Sequence, residues 1–505
     1  MKLIVSILSF ALFTSTLIYS IPPNDDEYLF DVPLVCKEYP MAAKNIFRYN
    51  CDNSNLYILG EPFKLLSFYY TGAGATILHY PFYKLINNHN STRFLGLTLL
   101  FFTSLFAARL TKTKLWMSLL IVGCSYPLAY QSLFDTGPVA FQCMSIFGLP
   151  YLLSVILAEE SKKKRIFLSL VLGFWAFFAL EQKAIFALAL PSTALLFFAF
   201  YDRKTTFKNL ISAVLPGLLL FAVLTGLLFS GKTQWGSTYF NDIVGLGKIT
   251  EDKASKETVY EHAIFFIDGY LTNLFHFSHR HFVTDLYPSR YISLAIISLM
   301  FISISSCLYF ATKPRRERFY LWTLSAGLVF FLIAQTKGSW AGHHIIFVFP
   351  FVLSQVLSSL SSLQEKLPRA STIVLSLILL LNASLILIID KKNFHDDSSW
   401  GKLEIYKILD DKDFSKKHIV AHLDWGSYLA DSLYGPKDQF VVSIEPLWSE
   451  NTMKDLIKIA KEADRKIAIM KKVKTDSNFE IVKSHLPTLE KAPTNTRTWE
   501  LWVEP

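Results

Sequence analysis

The sequence predicts a polytopic α-helical membrane protein of about eleven transmembrane helices, followed by a C-terminal extracytoplasmic α/β domain. Three observations carry this expectation. Of 505 residues, 52% are hydrophobic and only 18% charged, and the mean hydropathy is +0.33, more apolar material than soluble globular chains carry. Uncharged runs near bilayer length recur through the first 390 residues. From Lys391 on those runs stop, and short alternating segments replace them.

The net charge of +9 does not call for nucleic acid, because of where the excess sits. It lies in short loops: "RLTKTK" (109–114), "EESKKKR" (159–165), "DRKTTFK" (202–208), "KPRRER" (313–318) and "QEKLPR" (364–369). Alternate loops are basic and the others are not, which is the positive-inside pattern. The first apolar run, residues 3–20, resembles a signal peptide in length, but Lys2 is a thin n-region and no A-x-A-like cleavage site follows. It is read as a retained helix leaving the cytoplasm near residue 20. The aromatic stretch 63–86 is expected to form one or two interfacial helices, with Lys64 and Lys84 at headgroup level.

Further spans are expected over 93–109, 115–132, 138–158, 166–181, 184–201, 209–230, 291–312, 320–335, 343–363 and 371–390. This count puts every basic loop in the cytoplasm. It puts loops 21–92, 133–137, 182–183, 231–290 and 336–342, and the tail from 391, outside. The domains are thus 1–390, membrane-embedded with external loops 21–92 and 231–290, and 391–505. In the tail, "KKHIVAHLD", "QFVVSIEP", "RKIAIMKK" and "RTWELWVEP" read as strands, and "SENTMKDLIKIAKEAD" as an amphipathic helix. Of five cysteines, Cys36 and Cys51 share an external loop where a disulfide survives, with the pairing left open. Cys124, Cys143 and Cys307 lie in apolar runs as small packing residues.

Every cluster able to do chemistry falls on the predicted outer side. Loop one holds Asp25, Asp26, Glu27 and Asp31; the turn after the third span holds Asp135; "LEQKAIF" holds Glu181, Gln182 and Lys183. "HFSHRHF" offers His276, His279, Arg280 and His281, and "QTKGSWAGHH" offers Lys337, His343 and His344. Each has a structural reading too: carboxylates cap helices or sit in water, a lysine snorkels to headgroups, and histidines contact phosphates as readily as metals. Together, carboxylates and cations converge on one side of the bilayer. A carboxylate there can take the proton of an incoming hydroxyl, and cations can stabilise charge on a departing phosphate.

This layout resembles the GT-C class of glycosyltransferases that use polyprenyl-phosphate sugars, particularly the protein mannosyltransferase and aminoarabinose transferase branch. The matching features are the acidic group "DDE" (25–27) after the first helix, the aromatic stretch 63–86, and "STRFLGLTLLFFTSLFAARL" (91–110) with an arginine near its start. Asp135, the "EQK" turn, a His-bearing late loop and an α/β tail complete it. The chain departs from the pattern at "EPFKLLSFYY", where a proline pair is usual, and lacks a "WWD"-type oligosaccharyltransferase signature.

The resemblance implies Asp26 as general base, with Glu27 beside it and Asp25 as the alternative register. It implies Asp135 as an acceptor- or metal-assisting residue, and Lys183, Lys337, His343, His344 and Arg280 as donor-phosphate ligands. A divalent metal (Mg, Mn or Zn) held by Asp26, Glu27 or Asp135 is compatible with it, though the sequence does not decide for or against one. The partners implied are a polyprenyl-phosphate-sugar donor in the membrane and a glycan, lipid or protein acceptor. The location implied is the bacterial inner (cell) membrane, with the N-terminus cytoplasmic. A transporter and a non-catalytic envelope scaffold or receptor are the alternatives. Against the transporter stand the near absence of charge at helix centres and of paired Gly/Pro-broken helices.

Overall fold

A computed structural model describes residues 2–20, 31, 34, 55–58, 61–64, 66–68, 71–72, 74–134, 139–201, 207–229, 321, 324–329, 332, 346–393, 397–423, 431, 434–435, 440–443, 450–473 and 476–505. In chain order, α1 spans Lys2–Ser20, and short strands β1 (Asn55–Ile58), β2 (Glu61–Lys64), β3 (Leu66–Phe68) and β4 (Thr71–Gly72) precede α2 (Gly74–Ile86). Then come α3 (Ser91–Thr111), α4 (Leu115–Ser118) running into a π-helical turn over Leu119–Gly123, α5 (Tyr126–Phe134), α6 (Phe141–Ala158) and α7 (Lys162–Gln182). A 3-10 turn over Ala184–Leu188 leads to α8 (Leu190–Phe200) and α9 (Phe207–Phe229). After Ile346–Val348 follow α10 (Phe349–Lys366), α11 (Pro368–Asn393), α12 (Asp397–Leu409) and α13 (Lys412–Lys417). The chain ends in β5 (His418–Leu423), β6 (Phe440–Ser443), α14 (Glu450–Glu462), β7 (Lys466–Lys472), α15 (Asp476–His485), β8 (Glu490–Lys491) and β9 (Trp499–Val503).

Six described helices are long and apolar enough to cross a membrane, or seven if the pair around residues 115–134, bent by 73°, is one span. The bend replaces the helix expected over 115–132; its break falls after the π turn over Leu119–Gly123 and before Leu128, where Pro127 stands. Helix α7 starts at Lys162, ahead of the expected 166, because lysine stems continue a helix beyond the apolar core while their ammonium groups reach water. The expected span 291–312 and half of 320–335 lie outside the described residues. Residues 63–86 differ from expectation. Among the described residues of this stretch only 74–86 is helical; β1 and β2 pair antiparallel with Asn55 opposite Lys64, and β3 pairs with β4. Aromatic residues suit strands as well as interfacial helices.

By compactness the chain divides into two units, residues 1–18 with 95–388, and residues 19–94 with 389–505. In the first unit, α7 and α9 touch backbone to backbone. A Cβ added to Gly173 would overlap the Gly217 carbonyl, and one added to Gly217 would overlap the Ser169 carbonyl. The Gly217 N–H donates to Ser169 Oγ at 2.9 Å across this crossing. Small residues permit such an approach where lipid supplies no hydrophobic drive between helices. Cys124 and Cys143 are buried free thiols, as expected of packing residues; Cys36, Cys51 and Cys307 lie outside the described residues.

In the second unit, strands are ordered β6-β5-β7-β9-β8; β5 is parallel to β6 and β7, and β9 is antiparallel to β7 and β8. Alternation sorts the side chains. Ile419, Ala421, Leu423, Ile467 and Ile469 pack under α14 and α15, and Val420, Ala468 and Met470 pack with Ile405, Leu409, Trp499 and Leu501 on the other face. Helix α14 offers Met453, Leu456 and Ala460, one helical stripe, to the first of these cores. The four strands and the helix expected in the tail lie where the sequence placed them.

Candidate functional site

Most of the predicted site residues fall outside the described residues: Asp25, Asp26, Glu27, Asp135, Arg280, Lys337, His343 and His344. Asp31 and Lys183 are described, and each sits in a buried polar cluster that the sequence did not single out.

In the first unit, Lys183 follows the last turn of α7 in extended conformation and is 1% exposed. The carbonyls at a helix C-terminus lack intrahelical partners. Gln142 of α6 supplies them: its Nε2 donates to the carbonyls of Ala179 at 2.6 Å and Lys183 at 2.8 Å. This clamp holds the "EQK" turn in place. Gln182 beside it is buried, and its amide has no hydrogen-bond partner among the described residues. A buried ammonium is costly unless anions or several acceptors surround it. The turn thus combines a cation, an open amide and a fixed backbone.

In the second unit, α2 buries one face, formed by Ala75, Thr76, His79 and Tyr83 at helical spacing. The helix ends on Asn87, whose φ of 47° is the left-handed conformation that asparagine accepts. The Asn90 carbonyl then accepts the Phe94 N–H at 3.0 Å, so Ser91 opens α3 close to the last turn of α2. Ser91 Oγ lies 2.7 Å from His79 Nε2 and 2.8 Å from the Tyr434 hydroxyl. On the far side of the imidazole, Nδ1 stands 2.9 Å from Asp31 Oδ2, an ion-pair distance but off the axis of a directional hydrogen bond. Tyr434 also meets the Tyr83 ring at 5.9 Å.

The order Asp–His–Ser at these distances is that of an activated nucleophile. Burial argues against that use. Ser91 is 0% exposed, and its hydroxyl is already shared between His79 and Tyr434, so no substrate carbonyl reaches it. The chain instead joins loop one, α2, α3 and the tail. A second buried pair stands at its tail end: His422 Nε2 of β5 is 2.8 Å from Asp431 Oδ2. The Gly435 N–H donates to the Asp431 carbonyl at 2.8 Å, forming one helical turn that carries both Asp431 and Tyr434. Nearby, burial and then the Asp431 charge push the Asp410 carboxyl up to about 6. At the other end, burial and then Arg93 lower the pKa of His89, which precedes α3. Among the described residues no group of three or more His, Cys, Asp or Glu is arranged to hold a metal.

Along 99% of this chain and 98% of the other, the structure matches that of ArnT from Cupriavidus metallidurans bound to undecaprenyl phosphate, with a TM-score of 0.57 at 10% identity. The fold is GT-C. Weaker likenesses to the GT-C fold are an Archaeoglobus fulgidus oligosaccharyltransferase in complex with Zn and sulfate (TM-score 0.45, 9% identity, 99% of this chain and 73% of that one) and apo ArnT from Cupriavidus metallidurans (0.44, 12%, 99% and 97%). No protein-family model and no curated protein matches the chain. The signal that would have disclosed the His79 and Tyr434 contacts is weak: a polar residue on the apolar face of α2, and a tyrosine with no periodic role in the tail.

Proposed function

We propose that this chain is a membrane glycosyltransferase that moves a sugar from a polyprenyl-phosphate donor to an extracytoplasmic acceptor. The observation that carries the reading is the GT-C fold, shared over nearly the whole length with a protein crystallised holding undecaprenyl phosphate. The acidic segment after α1 adds to it. Asp26 is the base of the reading, Glu27 its neighbour and Asp25 the alternative by one register. The acceptor hydroxyl attacks the anomeric carbon as the carboxylate takes its proton. The bond from that carbon to the phosphate oxygen breaks, and polyprenyl phosphate leaves, inverting the anomeric configuration. Phosphate needs no protonation to leave, so one base suffices, unlike the carboxyl pair of glycoside hydrolysis.

Lys183 is the described candidate for the donor phosphate, as the buried cationic residue of the turn that follows α7. Lys337, His343, His344 and Arg280 are further candidates by sequence position. A divalent metal (Mg, Mn or Zn), held by Asp26, Glu27 or Asp135, would neutralise phosphate charge. The acceptor class is a glycan, lipid or protein, the site is extracytoplasmic, and residues 391–505 form the exported domain of this reading.

The test is release of free polyprenyl phosphate from a panel of polyprenyl-phosphate sugars by purified wild type and Asp26→Asn, with and without EDTA. Release by wild type and loss in Asp26→Asn supports the reading. Retained release in Asp26→Asn with loss in Asp25→Asn moves the base by one residue. Absence of release with every donor and acceptor offered, from folded protein, refutes it.

A further inference from the structure

The hydrogen-bonded chain in the second unit joins two parts of the sequence that lie 343 residues apart, since Ser91 Oγ meets the Tyr434 hydroxyl at 2.8 Å. Its members are buried or half-buried, and each has a defined place. His422 sits on central strand β5 and pairs with Asp431; Asp431 opens the helical turn that carries Tyr434. Tyr434 meets Ser91 at the first turn of α3; Ser91 meets His79 on the buried face of α2; His79 meets Asp31 at 2.9 Å. Asp31 stands five positions after Asp26 in sequence. Buried polar groups of this kind hold position strictly, because each member left without its partner carries a desolvation penalty.

From this we infer that Tyr434, Ser91 and His79 are positioning residues: they tie Asp31 of loop one to the sheet of the C-terminal tail. The tail is thereby a working part of the transfer machinery, acting through Asp31 without touching substrate. The catalytic half of this inference rests on the proposed transfer reaction; the structural half does not. Misplacement of a catalytic group by about 1 Å reduces rates by up to about a hundredfold, so loss of one link is expected to act on kcat rather than on donor binding.

The experiment uses the full chain in detergent, as wild type, Tyr434→Phe, Ser91→Ala, Ser91→Thr and the Tyr434→Phe/Ser91→Ala double variant. Two readouts are taken: amide hydrogen exchange of the peptide containing Asp31, and kcat and KM for polyprenyl-phosphate release. Tyr434→Phe and Ser91→Ala each remove the bond between Ser91 and Tyr434, and Ser91→Ala removes the bond to His79 as well. Either one should speed exchange at Asp31 and lower kcat about tenfold with donor KM within twofold. Ser91→Thr, which keeps the hydroxyl, should restore both. The double variant should lose little more than the worse single, as expected for residues acting through one contact. Unchanged exchange at Asp31 in both single variants overturns the inference, as does faster exchange with unchanged kcat in an active enzyme. If one variant fails to fold, the other removes the bond from the opposite side. Should wild type release no polyprenyl phosphate, the transfer reading fails alone, and the exchange arm still decides whether the tail holds Asp31.

Discussion

The crossing of α7 and α9 offers a sharp test of how this membrane bundle is held. Replacing Gly173 by alanine puts a methyl group onto the Gly217 carbonyl, a backbone atom that cannot rotate away. The helices must separate, which loses the Gly217 N–H to Ser169 Oγ bond of 2.9 Å along with close packing. Overpacking costs roughly 1–3 kcal/mol, and an interhelical hydrogen bond in a membrane about 1 kcal/mol. Gly173→Ala is therefore expected to destabilise by about 2–4 kcal/mol, whereas Ser169→Ala, which loses only the bond, costs about 1 kcal/mol. Gly217→Ala meets the Ser169 carbonyl in the same way, and once one methyl has parted the helices the second costs less. The assay is reversible unfolding in mixed micelles followed by tryptophan fluorescence. Gly173→Ala within about 0.5 kcal/mol of wild type, or full additivity of the two glycine variants, would refute the close crossing.

Three further outcomes follow from single groups. Gln142→Leu leaves the carbonyls of Ala179 and Lys183 without their donor and should cost about 1–3 kcal/mol, read as a lower unfolding midpoint in detergent. Asp410→Asn should raise the midpoint at pH 7.5 and leave it unchanged near pH 3, because the folded carboxyl titrates at about 6 against an ordinary 3.8, so the cost of its ionisation to the fold grows from pH 3.8 and is complete above about 6. Glu500 behaves in the opposite sense. Burial opposes its charge, but hydrogen bonds from Lys491, Trp502 and Lys471 hold the carboxyl at about 2 against an ordinary 4.5, so its stabilisation is complete above pH 4.5 and is lost as pH falls toward 2. An acid titration by circular dichroism should show Glu500→Gln with a shallower loss across that window.

The legibility of the chain follows the range of its interactions. Spans such as α3, α6, α7 and α9 were readable because hydrocarbon demands a continuous apolar run, a property of neighbouring residues. The strands of the tail were readable for the same reason, since "HIVAHL" and "KIAIMKK" bury both faces or alternate them. The stretch before α2 was misread because aromatic residues serve a hairpin and an interfacial helix equally well, and pairing of Asn55 with Lys64 decided between them. Lys183 was legible as a cation at a turn, but its burial under the Gln142 clamp was not.

By itself the sequence determined the membrane class, the apolar runs that form the long helices and the strand segments of the tail sheet, because each depends on solvent and on spacing along one segment. Only the tertiary structure decided that Gly173 meets Gly217, that Gln142 closes the end of α7, and that Tyr434 completes a chain to Asp31 through Ser91 and His79. Those contacts join residues tens to hundreds of positions apart. No local period encodes them; they exist because burying a polar or small residue forces it to find a matching surface elsewhere in the fold.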